Sequence, residues 1–198
     1  AKVIRAEGAS AFTVTPAVAG KTIDPASFQD VVKKAATDLV AATANAKIID
    51  LPAAVSTESA QAIADQANAI VTAPVTITAE GKTFTATEQE KAAWVTVGEK
   101  DGAPTGPTVD AAKIGEWVTK QAGSVTVKPV KGVRNVNSQG AVLSVVTKAK
   151  DGVDVGNAQQ VAEALAAKLT AGQGAQEAFT TTVVQATWTE RKIADGAQ

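Results

Sequence analysis

The sequence predicts an α+β fold of two related strand–turn–helix–strand lobes, with antiparallel sheets packed against amphipathic helices. Three observations predict it. In residues 20–39, GKTIDPASFQDVVKKAATDL, the apolar side chains of Phe28, Val31, Val32, Ala35 and Leu39 recur at the spacing of one helical face. The phrase returns at residues 151–169, DGVDVGNAQQVAEALAAKL, where Val161, Leu165 and Leu169 stand for Val31, Ala35 and Leu39, and Asp154 stands for Asp24. Each copy follows a β-like run (12–14, then 142–146) and precedes another (48–51, then 179–184).

Residues 1–9 read as lead-in. In residues 11–15, Phe12 and Val14 alternate with threonines, as in a half-buried strand. A glycine turn then leads to Asp24, a favoured N-cap because its carboxylate accepts the free N–H groups of a first helical turn. Pro25 follows, where a missing N–H is harmless, and the helix runs to about Thr43. Residues 48–51 form a strand closed by Pro52. Ser56 or Thr57 caps a second helix with the stripe Ala60, Ile63, Ala67, Ile70 and Val71, stopped by Pro74. Glu80-Gly81 between Val75-Thr-Ile77-Thr and Thr83-Phe84-Thr is a compact hairpin signal. Thr87 with Glu90 is a capping box, in which each side chain satisfies the other's backbone donor. Its helix ends near Trp94–Val97. Residues 98–107, rich in Gly, Pro and Asp, read as a flexible loop. Asp110 caps a short helix carrying Ile114, Trp117 and Val118, stopped by Gly123. Residues 125–127 read as a strand. The polar, turn-rich stretch 128–140 is the expected boundary between a domain at 1–127 and a shorter repeat at 128–198. Residues 191–198 read as a polar linker.

Composition narrows the function. Nineteen basic and twenty acidic residues give a net charge of −1, without the basic stripe of a nucleic-acid binder or the polybasic patch of a membrane binder. The chain has no Cys and no His. Disulfides, thiolate metal sites and the commonest general base are therefore excluded, and no cofactor is expected. No apolar run approaches a membrane span, and no signal-peptide pattern is present. The first residue is Ala1 rather than Met, which marks a processed chain or a piece of a longer one.

The order of motifs resembles a known family. The matching stretches are the strand, G-x-x-I-D and helix of residues 12–39; P-V-x-I-x-x-x-G-K-x-F-T-x-T-x-x-E-x-x-x-W, ending at Trp94; and V-D-x-x-x-I-x-x-W-V at 109–118. They resemble the peptidoglycan-binding domain upstream of L,D-transpeptidase (YkuD-type) catalytic domains in Gram-positive bacteria, with relatives among VanW-type proteins. The copy from about residue 141 resembles the further V-D-x-helix unit of multi-repeat relatives. The resemblance implies a non-catalytic, extracellular module at the cell wall or outer face of the membrane. It would bind peptidoglycan or another wall polymer, or space a murein-modifying catalytic domain of the same parent chain. That catalytic domain needs a Cys and a His, which this chain lacks. The alternative is a structural or adhesive stalk module with no glycan binding.

Trp94, Trp117 and Trp188 are the candidates to stack on sugar rings; Trp94 and Trp117 also fit a core stripe. Asp151, Asp154 and Asn157 fall at positions 1, 4 and 7, unlike the 1, 3, 5 and 12 of an EF-hand, and read as a turn with an N-cap. Glu88, Glu90, Glu99 and Asp101 are the carboxylates that a glycosidase pair would draw on, with Glu90 already committed to its cap. No S-x-x-K occurs, so a Ser nucleophile lacks a Lys base. Gly172-Gln-Gly174 reads as a helix C-cap. Lys128, Lys131 and Arg134 form a small basic cluster facing either solvent or an anionic wall polymer.

Overall fold

A computed structural model describes residues 1–39, 41 and 43–194. Among them the fold is α+β, with five helices and several small sheets and no barrel. The chain divides into two compact units: Ala1–Asn68 with Val97–Pro107, and Ala69–Thr96 with Thr108–Gln198.

In the first unit, residues 1–9 are more than lead-in: β1 (Lys2–Ile4) pairs antiparallel with β2 (Thr13–Thr15), with Val3 opposite Val14. Next come β3 (Gly20–Ile23), α1 (Ala26–Asp38) and β4 (Ile48–Leu51). The expected glycine turn is thus a strand, whose four residues pair antiparallel with β4 from Gly20–Leu51 to Ile23–Ile48. The N-cap position falls one residue later than expected, on Pro25, which has no side-chain cap, although Asp24 Oδ1 accepts the Ala26 N–H at 3.0 Å. The helix ends at Asp38, with Leu39 left-handed at φ 51°, short of the expected Thr43; residues 40 and 42 lie outside the described residues.

The helix α2 (Thr57–Thr72) starts on Ser56, whose Oγ accepts the Ser59 N–H at 3.1 Å. Its Ala60, Ala64 and Ala67 are buried. Asn68 then clamps the buried Phe12 by its backbone: Oδ1 accepts Phe12 N–H at 2.8 Å and Nδ2 donates to Phe12 O at 2.9 Å.

The α1 stripe is amphipathic, yet the helix buries no side chain: Phe28, Val31 and Ala35 are half-buried, and Val32 is 62% exposed. Periodicity sets which side chains share a face but supplies nothing to cover it. A helix of this length without tertiary cover is marginal in water. Amide exchange in α1 is therefore expected to be far faster than in α5 (below), a helix of equal length that buries Val161, Leu165 and Leu169. Hydrogen–deuterium exchange read by mass spectrometry checks this; equal protection would contradict it.

In the second unit, β5 (Val75–Ala79) and β6 (Lys82–Thr85) form the expected hairpin. Glu80 and Gly81 both have positive φ, 47° and 74°, as a type I′ turn requires. The helix α3 (Glu88–Trp94) begins on the complete Thr87–Glu90 capping box. Residues 98–107, which belong to the first unit, are not a loop: β7 (Val95–Lys100) and β8 (Ala103–Val109) form a two-stranded sheet. Asp101-Gly102, at φ 53° and 78°, makes its turn.

Asp110 caps α4 (Ala111–Val125), accepting from Ala112 and Lys113 N–H. The helix continues through Gly123 and takes in Val125; Val127 is a single bridge to Val153. The polar stretch 128–140 contains β9 (Gly132–Val136), the middle strand of a sheet with β10 (Val142–Thr147) antiparallel and β14 (Trp188–Lys192) parallel to it. Residues 191 and 192, expected as linker, end β14; residues 195–198 lie outside the described residues.

Between them lie β11 (Gly152–Val155), α5 (Ala158–Thr170), β12 (Ala175–Ala178) and β13 (Thr181–Val184). As with β3 and β4, β11 pairs antiparallel with β13 across the helix. Asp154 sits in β11 opposite Thr182 and is no cap. Asn157, at the N-cap position, instead holds Thr180 N–H and Ala178 O. At the other end Gly172, at φ 71°, closes the helix as expected, its N–H on Leu169 O. Gly174 has another role: a Cβ there would meet Pro74 Cγ at 2.8 Å, where β12 starts its parallel pairing with β5. The core of this unit joins Val75 and Ile77 to Ile114 and Val118 of α4 and to Leu165 and Leu169 of α5, all essentially inaccessible.

Candidate functional site

The three tryptophans separate into two environments. Trp94 closes α3, and Trp117 lies on the inner face of α4 beside Ile114 and Val118. Their rings meet edge-on, with centroids 5.6 Å apart and planes at 63°, a favoured aromatic geometry. Only 4% of Trp94 and 7% of Trp117 is exposed. Above them runs a shallow groove of about 310 Å³, rimmed by Glu90, Lys113, Glu116 and Lys120. Two of these charges have structural partners. Glu90 completes the capping box, and Lys113 Nζ donates to Ala93 O at 2.9 Å and pairs with Asp110 at 3.7 Å.

Trp188 is 40% exposed at the start of β14. Its parallel register sets it opposite Gly132 of β9. A Cβ on Gly132 would lie 2.5 Å from the indole, so the absence of a side chain there lets the ring lie against the strand. Two residues along, Arg134 faces Glu190: Nε donates to Oε1 at 3.1 Å, and the outer guanidinium nitrogen binds the same oxygen. The guanidinium carbon stands 5.4 Å from the Trp188 ring centroid, within cation–π range. Of the expected basic cluster, the structure therefore joins Arg134 to Trp188 and leaves Lys128 and Lys131 exposed.

The remaining candidates do not converge. Asp151 Oδ1 accepts the Ala186 N–H at 2.8 Å, while Asp154 and Asn157 are placed as above. Among the described residues no cluster of His, Cys, Asp or Glu could hold a metal. Glu99 pairs with Lys2 at 3.8 Å, and Asp101 forms a turn.

Sequence reasoning missed Lys91, which is buried on α3 with Nζ donating to Ala73 O at 2.5 Å, just past the end of α2. Burial pushes its pKa below the ordinary lysine value of 10.5, against the opposing attraction of Glu88. Between the lowered value and 10.5 the unfolded chain binds more protons than the folded one, so stability rises with pH across that window. Below the window the penalty is fully present. Urea unfolding from pH 7 to 10.5 should show the stability of the native chain gaining on that of Lys91→Met as pH rises. A constant difference would contradict it.

No family model matches the chain, and no curated protein matches it. Two solved structures are similar to part of it. One is the Ldtfm-avibactam carbamoyl enzyme, with a TM-score of 0.39 and 18% identity. The other is a cysteine-to-serine mutant of Enterococcus faecium L,D-transpeptidase, with a TM-score of 0.38 and 20% identity. Each match covers 60% of this chain and 44% of the solved chain, so the chain spans less than half the length of either. A likeness this slight carries no argument about the site. Among the described residues no helix is long and apolar enough to cross a membrane.

Proposed function

We propose that this chain is a non-catalytic, extracellular module that contacts peptidoglycan or an associated wall polymer and holds an L,D-transpeptidase-type catalytic domain in place. The reading draws on the motif order of residues 12–39, 75–94 and 109–118. It draws equally on a sequence with neither Cys nor His, so that the nucleophile and base of such an enzyme lie elsewhere. The observation that carries it is Trp188. Of the three tryptophans, it alone presents an accessible indole, laid against Gly132 beside Arg134. Indoles of this kind offer an apolar face with a polar edge, suited to a partly wet ligand such as a sugar.

Co-sedimentation with purified Gram-positive sacculi tests the reading. Enrichment of the chain over a control protein of similar charge is the expected result; recovery at the control level would overturn it and leave a spacer without wall affinity.

A further inference from the structure

We infer that the Trp188 surface is a subsite for an uncharged pyranose ring, so that the wall polymer it recognises is neutral glycan rather than a polyanion. The inference rests on the wall-contact reading and names the chemistry of that contact. Its basis is which atoms around the indole are already used and which are left. One face of the ring is taken. A Cβ on Gly132 would stand 2.5, 2.7 and 2.8 Å from Cε3, Cζ3 and Cδ2 of Trp188. These three atoms are consecutive in the six-membered ring, and near-equal distances to them place the glycine under the ring's face rather than at its edge. The guanidinium carbon of Arg134 lies 5.4 Å from the ring centroid. Direct stacking brings atoms to about 3.5–4.0 Å, so the guanidinium is displaced towards the rim. The face turned away from the sheet is the open one, in keeping with the 40% exposure of Trp188.

The polar atoms at the rim come as an acceptor and a donor. Arg134 Nε and Nη2 both donate to Glu190 Oε1. Glu190 Oε2 and Arg134 Nη1 are left without a partner among the described residues. Both side chains reach water, at 44% and 32% exposure. Across β9 from this pair, β10 sets the uncharged Val145 opposite Arg134. The next charge on this face of β14 is Lys192, four residues or roughly 13 Å from Trp188, beyond a Debye length of about 8 Å. An anion laid on the ring would meet Glu190 Oε2, and a cation would meet the guanidinium, so the pair disfavours both. A hydroxyl group suits both, because it donates and accepts. An uncharged pyranose offers C–H groups to the indole and hydroxyls to the rim at once.

Three soluble probes separate the components: chitohexaose (rings without charge), polyphosphate (charge without rings) and hexagalacturonate (both). Titration of the chain should show chitohexaose bound about tenfold more tightly than hexagalacturonate, with no binding of polyphosphate. The chitohexaose affinity should change less than about twofold between about 50 and about 500 mM salt, since no net charge is used. Trp188→Leu should weaken it about tenfold, and Trp188→Phe, which keeps a ring, should retain most of it. Glu190→Gln unmasks the Arg134 guanidinium and should raise hexagalacturonate binding above that of chitohexaose, a reversal that mere loosening of the sheet would not produce. No chitohexaose binding, equal or tighter binding of hexagalacturonate by the native chain, or a chitohexaose affinity unmoved by Trp188→Leu would overturn the inference.

Sacculi with and without teichoic acid complete the test. Retention of the native chain that survives stripping and falls with Trp188→Leu is the expected result. Retention lost on stripping assigns the contact to a polyanion, which overturns the inference and leaves the wall reading standing. Chitohexaose binding without retention on sacculi does the reverse.

Discussion

Trp117→Ala is expected to lower the free energy of unfolding by about 3–5 kcal/mol, as truncation of a buried aromatic generally does, while Trp188→Ala lowers it by about 1 kcal/mol or less. Trp117 is 7% exposed and wedged edge-on against Trp94, with Ile114 and Val118 one helical turn or less away. Its removal takes away the partner of the Trp94 ring and leaves a cavity beside Ile114 and Val118. Trp188 is 40% exposed and rests on a glycine, so its loss returns little surface to water and leaves no enclosed void. Urea denaturation of the two variants side by side checks the contrast; similar losses would mean that the indoles do not divide into a core pair and a surface platform.

Gly152→Ala is expected to cost about 3 kcal/mol, the upper end of the usual range for forcing atoms into filled space. A Cβ at Gly152 would collide with Val127 O and stand 2.6 Å from Pro129 N. Both are backbone atoms, tied by the Val127–Val153 bridge, and neither can rotate aside. Gly132→Ala meets the indole of Trp188 instead, a side chain free to swing out, and should cost about 1–2 kcal/mol. Urea midpoints read the difference, and near-ultraviolet circular dichroism should report a displaced tryptophan for Gly132→Ala but not for Gly152→Ala. Equal costs would show that residues 127–129 yield as readily as a side chain.

What the sequence made legible was local chemistry. The Thr87–Glu90 box, the Asp110 cap, the Glu80-Gly81 turn and Gly172 at a helix end depend on residues within a few positions of one another, and all are present. The recurrence of helix and flanking strand was legible too. Its strand was misplaced because Gly20-Lys-Thr-Ile23 and Gly152-Val-Asp-Val155 open on the residue that usually marks a turn. The hairpin turn at Asp101-Gly102 was hidden by the glycines and prolines of its own strands, Gly98, Pro104, Gly106 and Pro107. The candidate site was the least legible part. Trp188 meets Gly132 through a parallel pairing across 56 residues, and β9, reading Gly-Val-Arg-Asn-Val, has the composition of a loop. Nothing within either segment announces the other. Lys91 was hidden differently: its position reads as a solvated helix face until Ala73 O is brought against it.

The most direct test of the account is the fraction of chain retained on purified Gram-positive sacculi, measured for the native sequence and for Trp188→Ala after both are shown to be folded. The account predicts clear retention of the native chain and a fall to the control level for the variant. Equal retention of the two would contradict it.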